Sequence, residues 1–426
     1  MQRIKKPIFE DEATINKITN VADFQYMKTL RFNMKVINAW PRKADEDSLL
    51  INYANFVLYV YCVIATILYV VLHIDKLSFF ELGHMYIIVL MTCVTWTRII
   101  LTISAKYRRM GTMFLNEMHL LHFKDVSEYA MQTFRKIHFI SNIFTIYLVT
   151  QMFAGLAMFN IIPIWNNYSS GMYSEKNLEN KKYDHALYLS TPVDISTNFN
   201  GYLFGCLSNC FLTYLCATSF CMMDLFLSLM VFNLWGHLKI LLHDLEIFPL
   251  PAYEVVMPME DASVAAEMYS EEELKLISQK LKQCIDYHRL IADFTNQMSE
   301  TYSEMLFISY TFYQASGCLL LLECSQMTAE ALMRYLPLSL ITLQQLVQTS
   351  VIFELVGSTS EKLKDAVYGV PWQYMDKKNR MIVAIFLYYV QEPIHVKALG
   401  IVPVGVTTMT AVLKTALSYF AFLRSI

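Results

Sequence analysis

Charged residues are scarce in this chain of 426 residues. Asp, Glu, Lys and Arg make up 17% of it, hydrophobic residues make up 55%, and the mean hydropathy is +0.35, whereas a soluble globular chain is typically about 25% charged. The formal net charge is −3, so the chain has no basic excess to bind phosphates. These deficits exclude a disordered chain and a nucleic-acid-binding protein. They also argue against a water-soluble enzyme, because too few charges remain to cover a surface.

Patterns of catalytic and metal-binding residues are missing as well. The sequence has no metal-ligand cluster, nucleophile elbow or phosphate-binding loop, so we expect no enzyme, no cofactor and no metal. Cys206 and Cys210 are one helical turn apart, but no His or carboxylate lies nearby to complete a site with four ligands. The segment 163–201 contains no cysteine, so no disulfide can tether it.

Long apolar runs account for the composition. A helix needs about 20 residues to cross the hydrocarbon core of a bilayer, and seven runs approach that length. They are Phe56–Ile74, His84–Ser104, Ile137–Ile162, Tyr202–Trp235, Tyr302–Leu322, Leu336–Val356 and the interrupted pair Met381–Val390 and Leu399–Leu423. We therefore predict an all-α membrane protein with seven transmembrane helices. Arg98, inside the second run, is expected to snorkel to the interface, and the polar residues 1–50 are not expected to be a signal peptide.

The distribution of basic residues predicts the orientation. With the N-terminus in the cytoplasm and the C-terminus outside, the segments 1–55, 105–136, 236–301 and 357–380 are internal and hold 25 Lys and Arg, against 5 in the external loops. Cytoplasmic loops favour Lys and Arg. The sequon Asn167-Tyr168-Ser169 falls in a predicted external loop, which makes Asn167 a candidate glycosylation site.

The segment 236–301 predicts helices that extend into the cytoplasm. Leucines at helical spacing continue the fourth helix to Glu246, Ile247–Ala266 is expected to be a loop, and Ser270 with Glu273 forms a capping-box pattern that opens a new helix. The apolar stripe of that helix faces the cytoplasm, so it must pack either on its own neighbours or on another subunit.

The seventh helix carries the clearest local signal. Pro393, in the sequence Gln391-Glu392-Pro393, removes a backbone donor and breaks the helix. The part that follows, Val406–Ile426, mixes small polar residues with apolar ones, including Thr408, Ala411, Thr415 and Ser418 at steps of three and four residues. A helix that lines water or packs closely on other helices uses such residues, whereas a helix that faces only lipid does not.

Together these features resemble the insect odorant receptor family. The resemblance rests on seven spans with an internal N-terminus, the Pro371-Trp372 entry, the Gln391-x-Pro393 break and the ending Ser418-Tyr419-x-x-x-Leu423. The modest loop between the fourth and fifth helices is more similar to an odorant-specific tuning subunit than to the longer co-receptor.

The resemblance implies a ligand-gated, non-selective cation channel made of four subunits, with olfactory co-receptor subunits among them, in the plasma membrane of a sensory neuron dendrite. It implies a cytoplasmic segment 1–55, helices one to six within 56–356, a cytoplasmic anchor formed by 357–398 with the extensions in 236–301, and a pore-lining part 399–426. Monovalent and divalent cations would pass beside Thr415, Ser418 and Tyr419 and a hydrophobic ring of Phe422 and Ile426. Lys414 lies in the middle of this helix, where a charge is costly, so we expect it to face a water-filled vestibule or to pair with a partner subunit, and to tune ion preference.

The resemblance also implies a ligand pocket in the outer half of helices two to six. These halves lack Asp, Glu, Lys and Arg apart from Arg334 at the rim, which favours a neutral, hydrophobic volatile such as an ester, alcohol or aldehyde. The candidate ligand-binding residues are Tyr86, Met152, Gly155, Phe159, Tyr202, Cys206, Asn209, Tyr310, Tyr313, Thr342 and Gln345.

Three alternative functions fit the sequence less well. A G-protein-coupled receptor needs a cytoplasmic C-terminus and motifs that this sequence lacks. A gustatory receptor, related in fold and also a channel, resembles this chain but ends with a Gln that is missing after Tyr419. A transporter is expected to show broken helices in both halves, and only the last helix here is broken.

Overall fold

The computed structural model describes residues 12–41, 49–75, 79–173, 182–191, 194–252, 254–259, 262–325, 327 and 329–425. Within these residues the chain forms twelve α-helices: α1 Glu12–Lys17, α2 Gln25–Met34, α3 Leu49–His73, α4 Phe79–Ile103, α5 Ala105–Met113, α6 Glu128–Ser169, α7 Phe199–Glu246, α8 Glu271–Cys324, α9 Ala329–Glu361, α10 Leu363–Tyr368, α11 Lys377–Tyr389 and α12 Val406–Ser425. It also forms two antiparallel hairpins, of β1 Glu254–Met259 with β2 Ala262–Glu267 and of β3 Lys397–Ala398 with β4 Val402–Pro403.

Six helices in the described part of the chain are long and apolar enough to cross a membrane, namely α3, α4, α6, α7, α8 and α9. They correspond to the first six predicted spans. α12 has 20 residues, which extend about 30 Å and match the thickness of the hydrocarbon core. Threonines, serines and Lys414 lie among its apolar residues.

The long helices pack side by side as one bundle. α3 lies against α4, α6 against α7, and α8 against α9, so the neighbours predicted from the short connections 75–83 and 323–335 are in contact. We call the end of the bundle that carries residues 182–191 the loop end, and the end that carries α1, α2, α5, α10 and α11 the far end. α7 has 48 residues and α8 has 54, so both extend well beyond a bilayer toward the far end.

The N-terminal segment 12–41 forms part of the core at the far end. Phe24, Met27 and Leu30 are fully buried, and α2 packs on α6 and α7. The phenol of Tyr26 hydrogen-bonds His119 Nε2 over 2.8 Å. The sequence predicted only a polar cytoplasmic segment here, but apolar residues at three- and four-residue steps give α2 a buried face.

Side-chain caps fix where the helices begin. Ser270 and Glu273 form the predicted capping box at the start of α8, with the Glu273 backbone N–H donating to Ser270 Oγ and the Ser270 N–H donating to the Glu273 carboxylate. The loop predicted over Ile247–Ala266 is only partly correct, since it contains the hairpin β1–β2. The prolines and acidic residues of this segment indicated a loop, whereas the adjacent Val255 and Val256 favour a strand.

The seventh helix is broken where the sequence predicted. α11 ends at Tyr389, and the chain then passes through the hairpin β3–β4 before α12 begins at Val406. Gly400 has a φ of +69°, which the absence of a side chain permits. The Glu354 carboxylate of α9 accepts a hydrogen bond of 3.0 Å from the Val406 N–H. A carboxylate at this position is stabilised by the dipole of α12.

Candidate ligand-binding site

A cavity of about 190 Å³ lies between α3, α4, α6, α7, α8 and α9. None of the described residues that line it carries a charge, and most are aliphatic or aromatic. They are Tyr59, Cys62, Thr66, Ile87, Ile88, Met91, Thr92, Thr95, Gln151, Met152, Gly155, Leu156, Phe159, Leu187, Leu189, Leu212, Thr213, Cys216, Ala217, Phe220, Cys221, Phe312, Leu338, Ile341, Thr342 and Gln345. We call it the main cavity. A bare charge would be costly to bury here, so the site suits a neutral apolar molecule.

Five of the eleven candidate ligand residues line the main cavity: Met152, Gly155, Phe159, Thr342 and Gln345. The first three recur at helical spacing on α6 and therefore share one face. A Cβ added at Gly155 would meet Ile341 Cδ1 at 3.9 Å, an ordinary van der Waals distance. Helix packing therefore does not require a glycine at this position, and its missing side chain leaves room in the cavity.

Three other candidates on α4 and α8 lie away from the main cavity. Tyr86 is 42% exposed on the outside of the bundle. Tyr310 is buried and its hydroxyl hydrogen-bonds Ser350 Oγ over 2.7 Å, which joins α8 to α9. Tyr313 is also buried in the core. Helical position alone could not separate these roles, because apolar residues occur both on the lipid-facing and on the buried faces of α4 and α8.

The three candidates on α7 lie near the loop end and do not line the main cavity. The ring of Tyr202 stacks on Tyr183 with centroids 4.4 Å apart, and Cys206 is half-buried. The Asn209 amide donates to the Leu187 carbonyl over 3.1 Å. Leu187 lines the main cavity. Asn209 therefore holds a wall residue in place but does not itself line the cavity.

Residues 182–191 cover the loop end of the main cavity with Leu187 and Leu189. The Ser190 N–H donates to the Ala65 carbonyl of α3 over 3.1 Å. The His185 ring lies 2.9 Å from the Ile195 carbonyl through Nε2, and burial lowers the pKa of His185 below its ordinary value. The neutral imidazole is therefore the form that fits this covering segment.

Sequence reasoning missed the contribution of the first transmembrane helix. Tyr59, Cys62 and Thr66 of α3 line the main cavity, although the pocket was assigned to helices two to six. A signal was present, since Asn52 and Asn55 continue the same buried stripe toward the start of α3. Polar residues at three- and four-residue steps on an otherwise apolar helix indicate the face that turns away from lipid.

A second cavity of about 70 Å³ adjoins the main cavity toward the loop end. Gly155, Phe159, Leu338 and Ile341 line both cavities. Phe159 is the largest of these four side chains and belongs to the wall that the two spaces share.

The expectation that Arg98 snorkels to the interface is wrong. Arg98 is completely buried and forms an ion pair of 2.7 Å with Asp224 of α7. Its guanidinium lies 4.4 Å from the centroid of the Phe220 ring. Since Phe220 lines the main cavity, this ion pair lies directly behind the cavity wall.

The candidate glycosylation site is not an exposed side chain. Asn167 lies in the last turn of α6 and is 2% exposed. Its amide donates to the Asp184 carbonyl over 2.9 Å and to the Tyr202 hydroxyl over 3.2 Å, and its oxygen accepts from the Asp184 N–H over 2.8 Å. A glycan on Asn167 would have to break these bonds.

Four of the five candidate pore residues lie on α12. Tyr419 is 56% exposed and Phe422 is 62% exposed, Ser418 is exposed and Thr415 is half-buried. The fifth candidate, Ile426, lies outside the described residues. Val412 and Ala416 pack inward, with α12 against α8 and α9.

The exposed face of α12 differs from those of the other helices. Its exposed residues include Thr407, Ala411, Lys414 and Ser418 as well as Leu417, Tyr419 and Phe422. The exposed residues of α3 include Val57, Ile64, Leu68 and Val71. Large aliphatic residues suit lipid, and small polar residues with a lysine do not.

Comparisons with known proteins agree with this architecture. The family profile described as 7tm Odorant receptor matches residues 79–417. The chain belongs to the odorant receptor family. The receptor is thus a multi-pass membrane protein. No match was found among curated proteins.

Solved structures share the fold of the receptor. The insect olfactory receptor OR5 from Machilis hrabei is similar with a TM-score of 0.72 and 13% sequence identity over 94% of this chain and 97% of that one. The structure of the same OR5 in complex with eugenol gives the same TM-score and identity, over 94% of this chain and 98% of that one.

Proposed function

We propose that this receptor is the odorant-specific subunit of a ligand-gated, non-selective cation channel. A neutral hydrophobic volatile opens it, and it assembles with olfactory co-receptor subunits into a heterotetramer in the plasma membrane. The observation that carries the proposal is the main cavity, an uncharged space inside the bundle that the segment 182–191 covers. The OR5 structure with eugenol supports a ligand of this class.

The size of the main cavity limits the ligand. An engineered apolar cavity of about 150 Å³ binds benzene, so about 190 Å³ accommodates a single substituted ring or a short aliphatic chain. Thr342 and Gln345 supply polar groups in the wall, and Met152 and Phe159 supply apolar contact. A volatile ester, alcohol, aldehyde or ketone of this size meets these conditions.

α9 offers a direct route from the ligand to the pore. Gln345 lines the main cavity, and Glu354 on the same helix holds the Val406 N–H at the start of α12. The nine helical steps from Gln345 to Glu354 span roughly 14 Å. A ligand that displaces the wall at Gln345 would therefore shift the attachment point of α12.

Gly405 allows the Glu354 carboxylate to lie close to the start of α12. A Cβ at Gly405 would lie 2.6 Å from Glu354 Oε2, so a larger residue would push the carboxylate away from α12. We infer that the contact between Glu354 and α12 is where movement of α9 reaches the pore helix.

α12 would line the ion path with its polar face. In a tetramer, Thr415, Ser418 and Tyr419 would lie beside the ions, and Phe422 with Ile426 would form the hydrophobic constriction. A ring of apolar side chains closes a narrow pore by dewetting it. Monovalent and divalent cations would pass when α12 moves outward.

Contact with the co-receptor is expected at the far end, which we place in the cytoplasm together with the N-terminus. Leu276 of α8 is 67% exposed, and Met381, Ile385 and Tyr388 of α11 are 57%, 51% and 76% exposed. An exposed apolar patch of this kind outside the membrane marks a protein contact. These residues fall within the anchor segments 236–301 and 357–398.

Membrane current in cells that express the receptor tests the proposal. Expressed alone it should give little current, whereas with a co-receptor it should give a cation current when a volatile is applied. A panel of volatiles that elicits G-protein signalling and no current would contradict the channel. Equal currents with and without the co-receptor would contradict the heteromer.

A further inference from the structure

Tyr59 is a buried polar residue in the wall of the main cavity. It is 3% exposed and lines the main cavity from α3. Among the described residues its hydroxyl has no hydrogen-bond partner. Buried hydroxyls are nearly always paired, so this one calls for an explanation.

The other hydroxyl groups of the wall are already engaged. Thr66, Thr95 and Thr342 each donate to a carbonyl of their own helix, at 2.7, 2.9 and 2.8 Å. A threonine that donates in this way leaves no hydrogen for a ligand. The Tyr59 hydroxyl differs because it has no such intrahelical acceptor.

The residues next to Tyr59 also line the main cavity. Cys62 lies one helical turn further along α3, and both Cys62 and Cys216 line the main cavity with Tyr59. A thiol sulfur is only a weak acceptor. The phenol therefore lies among cavity-lining groups that cannot satisfy it.

We propose that Tyr59 donates a hydrogen bond to an acceptor oxygen of the ligand. The odorant of this receptor then carries a carbonyl, ester or ether oxygen, and the first transmembrane helix forms a polar subsite that selects it over a hydrocarbon of the same shape. This inference rests on the proposed function, because it names the chemistry that the main cavity recognises.

Energetic reasoning favours an acceptor over a second apolar surface. A buried hydroxyl that has lost water and gained no partner destabilises the protein. A ligand oxygen restores the missing bond, whereas a hydrocarbon leaves the hydroxyl unpaired. Recognition through such a group discriminates more strongly than the contact of one extra methylene.

The test compares Tyr59→Phe with the wild type in cells that also express a co-receptor. The probes are pairs with similar skeletons, namely acetophenone and anisole against ethylbenzene, and heptan-2-one and methyl hexanoate against 1-octene. For oxygenated agonists the concentration that gives half-maximal current should rise about five- to tenfold in Tyr59→Phe, the loss expected for one hydrogen bond. Responses to hydrocarbons should not change.

Tyr61→Phe is the matched control. It makes the same substitution two residues away, where the side chain is 46% exposed on the outside of the bundle, so half-maximal concentrations should equal those of the wild type. A wild type that responds to hydrocarbons as strongly as to oxygenated probes would overturn the inference. Unchanged responses of Tyr59→Phe to oxygenated agonists would do so as well.

A second readout does not require a channel. Thermal unfolding of the purified protein in detergent should show Tyr59→Phe without ligand at least as stable as the wild type, since the substitution removes an unpaired hydroxyl. Acetophenone should raise the unfolding temperature of the wild type more than that of the variant. A destabilised variant, or equal stabilisation of both, would refute the subsite.

These outcomes separate the inference from the proposed function. If acetophenone stabilised the wild type more than Tyr59→Phe but no current were seen, the channel function would be contradicted and the Tyr59 subsite would be supported. Odorant-gated current that is insensitive to Tyr59→Phe would keep the channel and remove the subsite. If no oxygenated probe gave either current or stabilisation, both would fail.

Discussion

Arg98 of α4 and Asp224 of α7 form an ion pair inside the membrane-spanning bundle. Arg98 Nη1 donates to Asp224 Oδ1 at 2.7 Å and Nη2 donates to Oδ2 at 3.2 Å. The guanidinium also donates to the Phe220 carbonyl at 3.0 Å and to Ser309 Oγ of α8 at 3.3 Å. Because three helices meet at one group behind the cavity wall, the relative positions of α4, α7 and α8 depend on this pair.

We expect that replacing one partner of this ion pair destabilises the protein more than replacing both. Asp224→Asn leaves a buried guanidinium without its counter-ion, which costs about 3–5 kcal/mol. The double variant Arg98→Met with Asp224→Leu should be considerably less destabilised than either single variant. Thermal unfolding of the purified protein measures this.

An exposed ion pair provides the control for Asp224. Arg289 and Asp293 lie 3.9 Å apart with side chains 79% and 60% exposed, so Asp293→Asn should cost less than about 1 kcal/mol. Equal costs for the two Asp→Asn variants would show that the buried pair has no special role.

Phe159→Ala should change which ligands fit. Because Phe159 lines both cavities, its truncation joins spaces of about 190 and 70 Å³. Small agonists lose contact and should need about tenfold higher concentrations, a loss of roughly 1.4 kcal/mol, while longer agonists gain room. Dose–response currents against a homologous series of esters measure the shift.

Phe153→Ala serves as the comparison for Phe159→Ala. Phe153 is on the same helix and 48% exposed, and it does not line either cavity, so its truncation should leave the ligand series unchanged. If both variants shifted the series equally, the effect would belong to α6 as a whole.

Lys414 should limit the passage of divalent cations if α12 lines the pore. At about 7 Å in water one lysine repels a monovalent ion by roughly 0.6 kcal/mol and a divalent ion by twice that. Lys414→Gln should therefore raise the permeability of Ca²⁺ relative to Na⁺ about threefold, as measured from reversal potentials. Lys397→Gln removes the same charge from β3 and should have no effect, so a matching shift there would argue against Lys414.

Acid should destabilise the far end through His119. Burial and the neighbouring His122, His138 and His237 hold the pKa of His119 well below its ordinary value. The unfolded chain therefore binds more protons than the folded one once the pH falls below about 6.5, and stability should drop by up to about 1.4 kcal/mol per pH unit for this group.

Unfolding temperatures between pH 8 and pH 5 test this expectation. His119→Asn keeps an oxygen that can accept from the Leu121 N–H, the bond that His119 Nδ1 makes at 3.1 Å. The variant should lose stability at neutral pH because packing with Phe24 and Phe114 is reduced. As the pH falls, the unfolding temperature of the variant should then decrease less than that of the wild type. Equal decreases in the two proteins would exclude His119 as the titrating group.

Asn167 should remain unmodified in the folded receptor. The glycosidase PNGase F should not change the electrophoretic mobility of the expressed protein, because the Asn167 amide is bonded to Asp184 and Tyr202. Asn167→Ala should lower the unfolding temperature by several degrees, since it removes bonds to a covering segment of the cavity. Asn166→Ala, which loses a single bond to the Asp184 carboxylate, should have a smaller effect.

The sequence predicted the positions of the helices better than the contacts between them. Runs of apolar residues located six spans, and local chemistry located the capping box at Ser270 and the break at Pro393, because these signals depend on neighbouring residues. It did not show that Arg98 meets Asp224, since 126 positions separate them. The cavity was predicted in part, because helical spacing finds the face of α6 with Met152 and Phe159 but does not show that α3 closes the opposite wall.

α2 can complete its packing only late in the synthesis of this receptor. Phe24, Met27 and Leu30 pack on helices that end with Glu246, so these side chains wait for about 210 further residues before their partners exist. At ribosomal rates of about 5–20 residues per second, that interval is roughly 10–40 s. During this time the apolar face of α2 lacks the α6 and α7 surfaces that bury it, so the folding of the receptor cannot finish before α7 has been synthesised.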